Sequence, residues 1–330
     1  MTAGTSWDKL KLPNKMDKEL DVIVVGELNV DLILNELEKF PEIGKEILAR
    51  QMTLTLGSSA AIFASNISSL GARVAFIGKI GKDKFGEVVL ESLQNNGVDV
   101  SMIKRDDHCG TGATIILNVK EDRANTTYPG AMDFLTINDI PENDLKKAKH
   151  LHFSSYFLQP GMRHDVGKLF RTAQELGLTT SFDMQWDPLE EWNLDIEDIL
   201  PYVNVFLPNE KELMYLCGKN DLNEAIEYIN KYTDILAIKR GNQGSMVCYG
   251  DEIVNLPAFL NKSVVDAIGA GDSFNAGFMY KYIMGKSIRE CQEFGNLTGA
   301  MSTTAAGGTT AFQDYENFRK KAQDIFGFSV

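Results

Sequence analysis

Short apolar strands alternate with helical segments along most of this chain. The apolar run at residues 22–25 ends at Gly26, which is typical of a buried strand that stops at a turn. Residues 60–70 have helical character and are followed by Gly71, a residue type that commonly follows a helix. Further strands are predicted at 74–77, 150–153, 179–182, 204–207 and 235–238, and further helices at 165–176, 274–284 and 288–304. This alternation predicts a mostly parallel α/β sheet that is covered by helices on both faces.

Two segments interrupt the alternation. Residues 32–56 and 111–128 contain stretches in which apolar and polar residues alternate, such as ILARQMTLTL and TGATIILNV, and neither contains an obvious long helix. Four such strands would form a small antiparallel sheet that projects from the main one. We therefore expect an N-terminal tail at 1–20 and a single α/β domain at 21–330, into which two segments at about 32–56 and 109–130 are inserted.

Composition excludes several classes of protein. The 330 residues include 33 Lys and Arg against 46 Asp and Glu, a net charge of −13, and there is no dense basic run, so nucleic acid is not an expected partner. No apolar run approaches the roughly 18 residues of a membrane helix, and no secretory signal precedes residue 20. The four cysteines form no CxxC pair, which favours reduced thiols in a cytoplasmic protein over a zinc site or a disulfide framework.

The stretch DAIGAGDSFNAGF, residues 266–278, crowds three glycines between and after two aspartates. A glycine-rich turn that opens a helix offers backbone N–H groups to an anion. The alternative is a tight turn in which Asp272 caps the helix. A carboxylate beside an anion-binding turn needs its own function, and taking a proton from an alcohol during phosphoryl transfer is such a function. The GxxxxGK[ST], H-R-D and D-F-G motifs are absent, so a P-loop enzyme or a protein kinase is not expected.

Several motifs in order resemble those of the ribokinase-like, or PfkB, carbohydrate kinases. DAIGAGD resembles the D-T-x-G-A-G-D signature, and VVGELNVDLIL resembles the first strand with its substrate-binding aspartate. LGSSAAIFASNISSLGARVAFIGKIGKDKFG, LPNEKEL and IKRGNQGSMV resemble the substrate segment, the N-x-x-E element and the nucleotide-binding strand. The resemblance extends from about residue 21 to 312. It implies a three-layer α/β/α sandwich with a small antiparallel β lid.

The resemblance also implies roles for individual residues. Asp272 would be the general base, and Glu212, together with Asn209, would organise Mg²⁺ through its waters near the triphosphate of ATP. A helix start, with acidic residues favoured by the helix dipole, is the alternative for the Asn209–Glu212 pair. The anion hole would consist of Gly269, Ala270 and Gly271. The nucleotide would be bound by Lys239, Gly241, Gly244 and Asn296, although a hairpin turn also explains the two glycines.

Further implied sites concern a monovalent cation and the substrate. Asp266 and Ile268 match the position of a K⁺ site in the family, to which backbone carbonyls from 302–307 would contribute. The alternative is that the Asp266 carboxylate forms a hydrogen bond within its own turn. Sugar hydroxyls would be bound by Asn29, Asp31, Gly57 and Ser58. The small sheet would act as a lid over the sugar and would also form a homodimer contact.

Several positions depart from the family pattern. Ala267 replaces the signature threonine, Ser58 replaces the second of two glycines, and Ala61 and Ile62 stand where an asparagine commonly contacts the sugar. Gln185 and Asp187 stand where many relatives have Asn and Arg. Losing an arginine and gaining a carboxylate disfavours an anionic substrate. We therefore expect an ATP-dependent kinase for a fructose- or ribose-like neutral sugar; the alternatives are a nucleoside kinase and a non-catalytic sugar or nucleotide sensor.

Overall fold

A computed structural model describes residues 18–119 and 122–330 of the chain. The predicted tail at 1–20 falls almost entirely outside these residues, and the first strand begins at Leu20. The main sheet has eight strands: β1 (Leu20–Gly26), β4 (Val74–Ile77), β9 (Ala148–Ser154), β10 (Thr179–Asp183), β11 (Val205–Phe206), β12 (Ile235–Lys239), β13 (Ser245–Tyr249) and β14 (Glu252–Leu256). Their order in the sheet is β14-β13-β12-β11-β10-β9-β1-β4. Pairing is parallel from β4 to β12 and antiparallel from β12 to β14.

Helices cover both faces of this sheet. They are α1 (Ser59–Ser69), α2 (Lys84–Asn95), α3 (Glu142–Leu145), α4 (Val166–Glu175), α5 (Ile196–Ile199), α6 (Glu210–Cys217), α7 (Leu222–Ile229), α8 (Ala270–Ile283), α9 (Ile288–Ser302) and α10 (Tyr315–Phe326). Side chains of β1 alternate between two cores: Ile23 and Val25 pack with α4, α6 and α7, whereas Val22 and Val24 pack with α1, α2, α8 and α9. A strand that is buried on both faces must be apolar throughout, which is why its sequence is a continuous apolar run. The predicted three-layer α/β/α fold is confirmed.

The two interrupting segments form a separate four-stranded sheet in the order β3-β2-β7-β8. Its strands are β2 (Asn29–Asn35), β3 (Gln51–Leu56), β7 (Gly112–Val119) and β8 (Asp122–Tyr128). The outer pairs β2–β3 and β7–β8 are antiparallel as predicted, but the central pair β2–β7 is parallel. A third, two-stranded sheet pairs β5 (Lys79–Gly81) with β6 (Lys104–Asp106). Because β2 begins only three residues after β1 ends, the small sheet lies directly beyond the carboxyl end of β1.

One predicted boundary is wrong in a way that matters for the site. Helix α8 begins at Ala270, four residues before the predicted start at 274. Its first turn contains Gly271, Asp272 and Ser273, which carry no apolar periodicity from which the helix could be recognised. Asp272 is therefore an internal residue of the first helical turn, and Gly269 rather than Asp272 occupies the N-cap position.

Candidate active site

A cleft of about 1000 Å³ lies between the carboxyl ends of the main sheet and the small sheet. This is the edge at which ligands bind in open α/β sheets. Most of the predicted site residues line it: Asn29, Asp31, Ser58, Asn209, Glu212, Lys239, Gly241, Gly244, Ile268, Gly269, Ala270, Gly271, Asp272 and Asn296. The predicted residues Gly57 and Asp266 lie behind this lining, where they support Asp31 and the glycine-rich turn respectively. The tertiary structure thus brings the predicted residues to one place.

The glycine-rich turn presents the N-terminus of α8 to the cleft. Gly269 adopts a left-handed conformation with φ 72°, and a Cβ there would lie 2.8 Å from the Cα of Gly308. Glycine meets both requirements, since it adopts positive φ readily and lacks a Cβ. The first N–H groups of a helix have no partner within the helix. The N-terminus of α8 therefore faces the cleft, and anion binding by the turn at 269–271 stays a prediction.

Asp272 is buried at the base of this turn. Gln185 donates a hydrogen bond from Nε2 to Asp272 Oδ1 at 2.9 Å. Burial, together with the nearby Asp183 carboxylate, raises the pKa of Asp272 to about 7, while Lys239, Gln185 and Ser59 act in the opposite direction. A carboxyl group with this pKa accepts a proton effectively near neutral pH.

A buried ion pair between Lys239 and Asp183 adjoins Asp272. Sequence reasoning assigned Lys239 to the site but not Asp183. Lys239 Nζ donates to Asp183 Oδ2 at 2.6 Å, and the amide of Asn275 donates to the same oxygen. Although burial lowers the pKa of Lys239, the carboxylates of Asp183 and Glu212 raise it, and the net shift is upward. A Cβ at Gly271 would lie 3.7 Å from Lys239 Nζ, so this cation lies beside the anion-binding turn.

Asn209 and Glu212 form a reciprocal capping box at the start of α6. The backbone N–H of Glu212 donates to Asn209 Oδ1 at 2.9 Å, and that of Asn209 donates to Glu212 Oε2 at 2.8 Å. The helix-start alternative thus describes the local hydrogen bonds, but Glu212 is buried and lines the cleft instead of lying on the surface. Burial, and to a smaller extent the charge of Asp183, raises the pKa of Glu212 to about 7.

On the other side of the cleft, Asn29 and Asp31 project from β2. The amide of Asn29 donates to Asp31 Oδ1 at 3.1 Å and to Thr114 Oγ1 at 3.0 Å. Burial raises the pKa of Asp31 to about 6, against the opposing effects of Asn29 and Arg123. A Cβ at Gly57 would lie 2.3 Å from Asp31 Oδ1, so only glycine leaves this carboxylate in place.

The hydroxyl of Ser58 is already engaged within the protein. Ser58 Oγ donates to the carbonyl of Glu27 at 2.6 Å and accepts from the N–H of Ala61 at 2.9 Å, which caps α1. Its φ of 68° lies in the region that favours glycine, the residue type that the family pattern has here. Ile62, at the position of the missing asparagine, packs against Gly269 and Gly308. Its apolar side chain thus supports the anion-binding turn.

The predicted nucleotide-binding residues lie on the far side of the turn. Gly244 adopts φ 90°, and a Cβ there would lie 2.1 Å from the carbonyl oxygen of Leu256. Asn296 donates to the carbonyl of Pro257 at 3.1 Å, so its amide holds the segment after β14 against α9. Gly241 has φ 55° and borders open space. Residues 258–262 complete this wall of the cleft.

Asp266 joins two loops behind the turn. Its carboxylate accepts from the N–H of Ile268 at 3.0 Å, which is the alternative considered for it, and from the N–H of Gly307 at 3.0 Å. The N–H of Val265 donates to the carbonyl of Thr303 at 2.9 Å. The segments that were expected to share a K⁺ site are therefore adjacent, and occupation by K⁺ stays a prediction.

The two departures after β10 have different consequences. Gln185 bridges Asp183 and Asp272, since Nε2 also donates to Asp183 Oδ2 at 3.0 Å. Asp187 is buried and accepts from the N–H groups of Leu189, Glu191 and Trp192, so its charge holds a loop. Asp187 therefore gives no reason to exclude an anionic substrate, and the cation Arg123 of β8 lines the cleft.

Sequence reasoning missed Glu27 and Trp186, which line the cleft, and it gave Asp183 and Gln185 no role beside Asp272. Asp183 and Gln185 stand at or just after the carboxyl end of β10. The rule that ligands bind at carboxyl ends could have indicated them. Among the residues that the structure describes, no cluster of three His, Cys, Asp or Glu side chains is arranged to hold a metal directly. In the same residues, no helix is long and apolar enough to cross a membrane.

Comparisons with known proteins agree with this geometry. The chain matches the pfkB family of carbohydrate kinases over residues 19–314. It is 32% identical over 234 residues to a protein from Archaeoglobus fulgidus named uncharacterized sugar kinase. The matched region covers 71% of this chain and 92% of that relative. It is 26% identical to a nucleoside kinase from Methanothermobacter thermautotrophicus, over 95% of this chain and 99% of that relative.

A solved structure of Arabidopsis thaliana ribokinase, complexed with ribose and ATP, has a TM-score of 0.81 to this chain at 21% identity. The match covers 94% of this chain and 99% of the ribokinase. At this level of identity the likeness bears on the fold alone, and it confirms the predicted ribokinase-like fold. Taken with the family match, these comparisons lead to one conclusion: the chain belongs to the pfkB family of carbohydrate kinases and is a phosphotransferase, a sugar or nucleoside kinase.

Proposed function

We propose that this kinase transfers the γ-phosphate of ATP to a hydroxymethyl group of a small neutral sugar, fructose- or ribose-like, with Asp272 as general base. The observation that carries the proposal is the position of Asp272. It is buried in the first turn of α8, beside the anion-binding turn, and it lines the same cleft as Asn29 and Asp31. One side of the cleft thus suits a phosphate and the other suits hydroxyl groups.

In this mechanism Asn29 and Asp31 bind sugar hydroxyls and aim the acceptor alcohol at Asp272. The Asp272 carboxylate takes the alcohol proton as the alcohol oxygen attacks the γ-phosphorus, and the bond from this phosphorus to the bridging oxygen breaks, which releases ADP. The backbone N–H groups at 269–271, together with the nearby ammonium of Lys239, stabilise the negative charge that develops on the transferred group. The proton finally resides on a carboxylate oxygen of Asp272.

Mg²⁺ fits the charge of this region. Asp183, Glu212 and Asp272 carry three carboxyl groups close to one lysine, and burial and their mutual repulsion raise the pKa of Glu212 and Asp272. A hard, hydrated divalent cation would relieve that repulsion, and Glu212 would hold it through water. When bound, the ion neutralises charge on the phosphates.

We propose K⁺ at Asp266 and Ile268 on the weaker ground that the 302–307 segment lies beside them.

We also propose that residues 21–330 form one domain and that the small sheet is both a lid and a homodimer contact. Its face toward the cleft carries polar residues such as Thr114 and Thr127, whereas its other face carries Leu32, Leu34, Met52, Leu54, Ile115 and Leu117. Met52 is 68% exposed. An exposed apolar sheet face of this kind commonly marks an interaction site.

A nucleoside substrate is the second candidate, and Trp186 is the observation that favours it. This side chain is 40% exposed, lines the cleft and is held by edge contacts with Trp192 and Tyr215. An aromatic ring fixed in this way can stack on a nucleobase. We place it second because the same ring could also cover the apolar face of a sugar.

A substrate panel tests the proposal. The protein with ATP and Mg²⁺ should phosphorylate at least one neutral hexose, pentose, polyol or nucleoside, and Asp272→Asn should lower kcat by about 10²–10⁴-fold. The sugar affinity of this variant, measured by calorimetry, should stay close to that of the wild type. Binding without transfer across the whole panel would instead support a sensor, and an unchanged kcat in Asp272→Asn would remove the base assignment.

A further inference from the structure

Glu27 places a carboxyl group in the cleft that the kinase mechanism above does not use. It lies directly after β1, two residues before Asn29, and lines the cleft. Its side chain is almost fully buried, with 2% of the residue exposed. A buried acidic residue normally has hydrogen-bond partners or a functional role.

The two oxygens of this carboxyl group have different surroundings. Oε1 accepts a hydrogen bond from the N–H of Ala60, in the first turn of α1, at 3.3 Å. Oε2 is buried and has no hydrogen-bond partner among residues 18–119 and 122–330. A buried carboxyl oxygen without a partner is unfavourable unless a bound molecule supplies one.

Charge favours an uncharged, hydroxyl-bearing partner. Burial raises the pKa of Glu27 to about 8; the neighbouring Ser155 side chain and the N–H of Ala60 oppose this rise, and the Asp272 carboxylate adds to it. At neutral pH the group is therefore mainly protonated, and it can donate as well as accept a hydrogen bond. A sugar hydroxyl also donates and accepts, so it matches both states of this group.

We propose that Glu27 is a substrate-binding residue whose Oε2 binds a hydroxyl group of the sugar and thereby holds the acceptor alcohol beside Asp272. This inference rests on the proposed function. It adds a contact on the floor of the cleft to those of Asn29 and Asp31. It also gives the position after β1 a part in substrate choice, since a deoxy sugar that lacks this hydroxyl would leave Oε2 unpaired.

The test compares Glu27→Ala and Glu27→Gln with the wild type on the best substrate of the panel. Glu27→Ala should raise the KM for that substrate about tenfold or more, since it removes one buried hydrogen bond. Glu27→Gln keeps a donor and an acceptor at the same place and should restore KM to within about threefold. The KM for MgATP should not change in either variant. Glu224→Ala, which alters an exposed glutamate on α7, serves as the matched control.

Deoxy analogues separate substrate binding from a structural role. For the wild type, one analogue that lacks a single hydroxyl should bind about tenfold less tightly than the parent sugar. For Glu27→Ala, the same analogue and the parent sugar should bind with equal affinity. If Glu27→Ala lowers stability yet leaves the substrate KM unchanged, Glu27 is structural and the inference is overturned. If no panel compound is bound or phosphorylated by the wild type, the proposed function itself fails, which is a distinct result.

Discussion

Gln185 donates its amide to Asp272 Oδ1 at 2.9 Å, and the same nitrogen donates to Asp183 Oδ2 at 3.0 Å. One side chain thus separates two carboxyl groups that would otherwise repel each other. Because the amide donates to the ionised form of Asp272, it lowers the pKa of the proposed base. The residue that departs from the family pattern at this position therefore acts on the reactive group.

The pH dependence of catalysis should report this contact. The base must be ionised, so kcat/KM should fall as the pH drops through the pKa of Asp272, which is about 7 in the free protein. Gln185→Met removes the donor and should move this acidic limb to higher pH. Gln185→Glu adds a like charge and should move it further. An acidic limb at the same pH in all three proteins would contradict the proposed role of Asp272.

Adding a single methyl group at Gly57 should damage substrate binding selectively. In Gly57→Ala the new Cβ would lie 2.3 Å from Asp31 Oδ1 and 2.6 Å from Asn29 Nδ2, so both side chains must move. We expect the substrate KM to rise about tenfold or more through the loss of at least one hydrogen bond, with the KM for MgATP unchanged. Gly250→Ala, at a turn where the described residues place no atom within 4 Å of the new Cβ, should leave both KM values unchanged. Equal effects of Gly57→Ala on both substrates would show a general distortion instead.

Removing the lysine of the buried ion pair should destabilise the protein strongly. Lys239→Met leaves Asp183 buried without its cation, next to Glu212 and Asp272. Such a change typically costs about 3–5 kcal/mol in the free energy of unfolding. Urea unfolding should show this loss, and adding Asp183→Asn should recover part of it because the unpaired charge is then gone. A double variant no more stable than Lys239→Met alone would argue that Lys239 contributes by packing.

Two buried histidines predict a loss of stability in acid. His150 and His152 share the hydroxyl of Ser181, each at 2.7 Å. Burial lowers the pKa of His150 to about 3 and that of His152 well below its ordinary value near 6.5. Since the folded pKa values are lowered, the neutral rings stabilise the fold above pH 6.5, and this contribution is lost as the pH falls from 6.5 toward 3. For His150 the loss from pH 6.5 to 5 is about 2 kcal/mol, and His152 contributes in the same direction.

The carboxyl groups with raised pKa act in the opposite direction, because their contribution is present at low pH and is lost as the pH rises toward 8. The histidine effect is therefore best isolated as a difference. We expect the gap in unfolding free energy between the wild type and the double variant His150→Asn, His152→Asn to shrink as the pH falls from 7 to 5. A gap that stays constant over this range would show that the rings titrate in the same way in both states.

The apolar outer face of the small sheet predicts self-association. Leu54→Lys together with Ile115→Lys places two charges on that face, on strands β3 and β7, which flank β2. Light scattering should give a dimer mass for the wild type and a monomer mass for the variant. Thr53→Lys, on the opposite face of β3, is the control. A wild-type monomer at micromolar concentration would remove the homodimer proposal.

The layer structure could be predicted from the sequence because local pattern and burial coincide there. A strand covered by helices on both faces must be apolar at every position, so residues 22–25 and 74–77 could be recognised without knowing what packs on them. The start of α8 could not be recognised in this way. Its first turn contains glycine, aspartate and serine and has no apolar pattern, and the glycines at its start lie against Gly308, Ile62 and Lys239, which are distant in sequence.

The sequence by itself determined the order of the layers, the family and the candidate residues, since each of these depends on residue types at fixed spacing. Only the tertiary structure decided what those residues do to one another. Asp187 holds a loop, Ser58 caps a helix, Asp183 pairs with Lys239, and Glu27 has a buried oxygen without a hydrogen-bond partner in the part of the chain that the structure describes. The physical reason is that hydrogen bonds and charge effects depend on distance and burial, and these are set by chain segments far apart in the sequence.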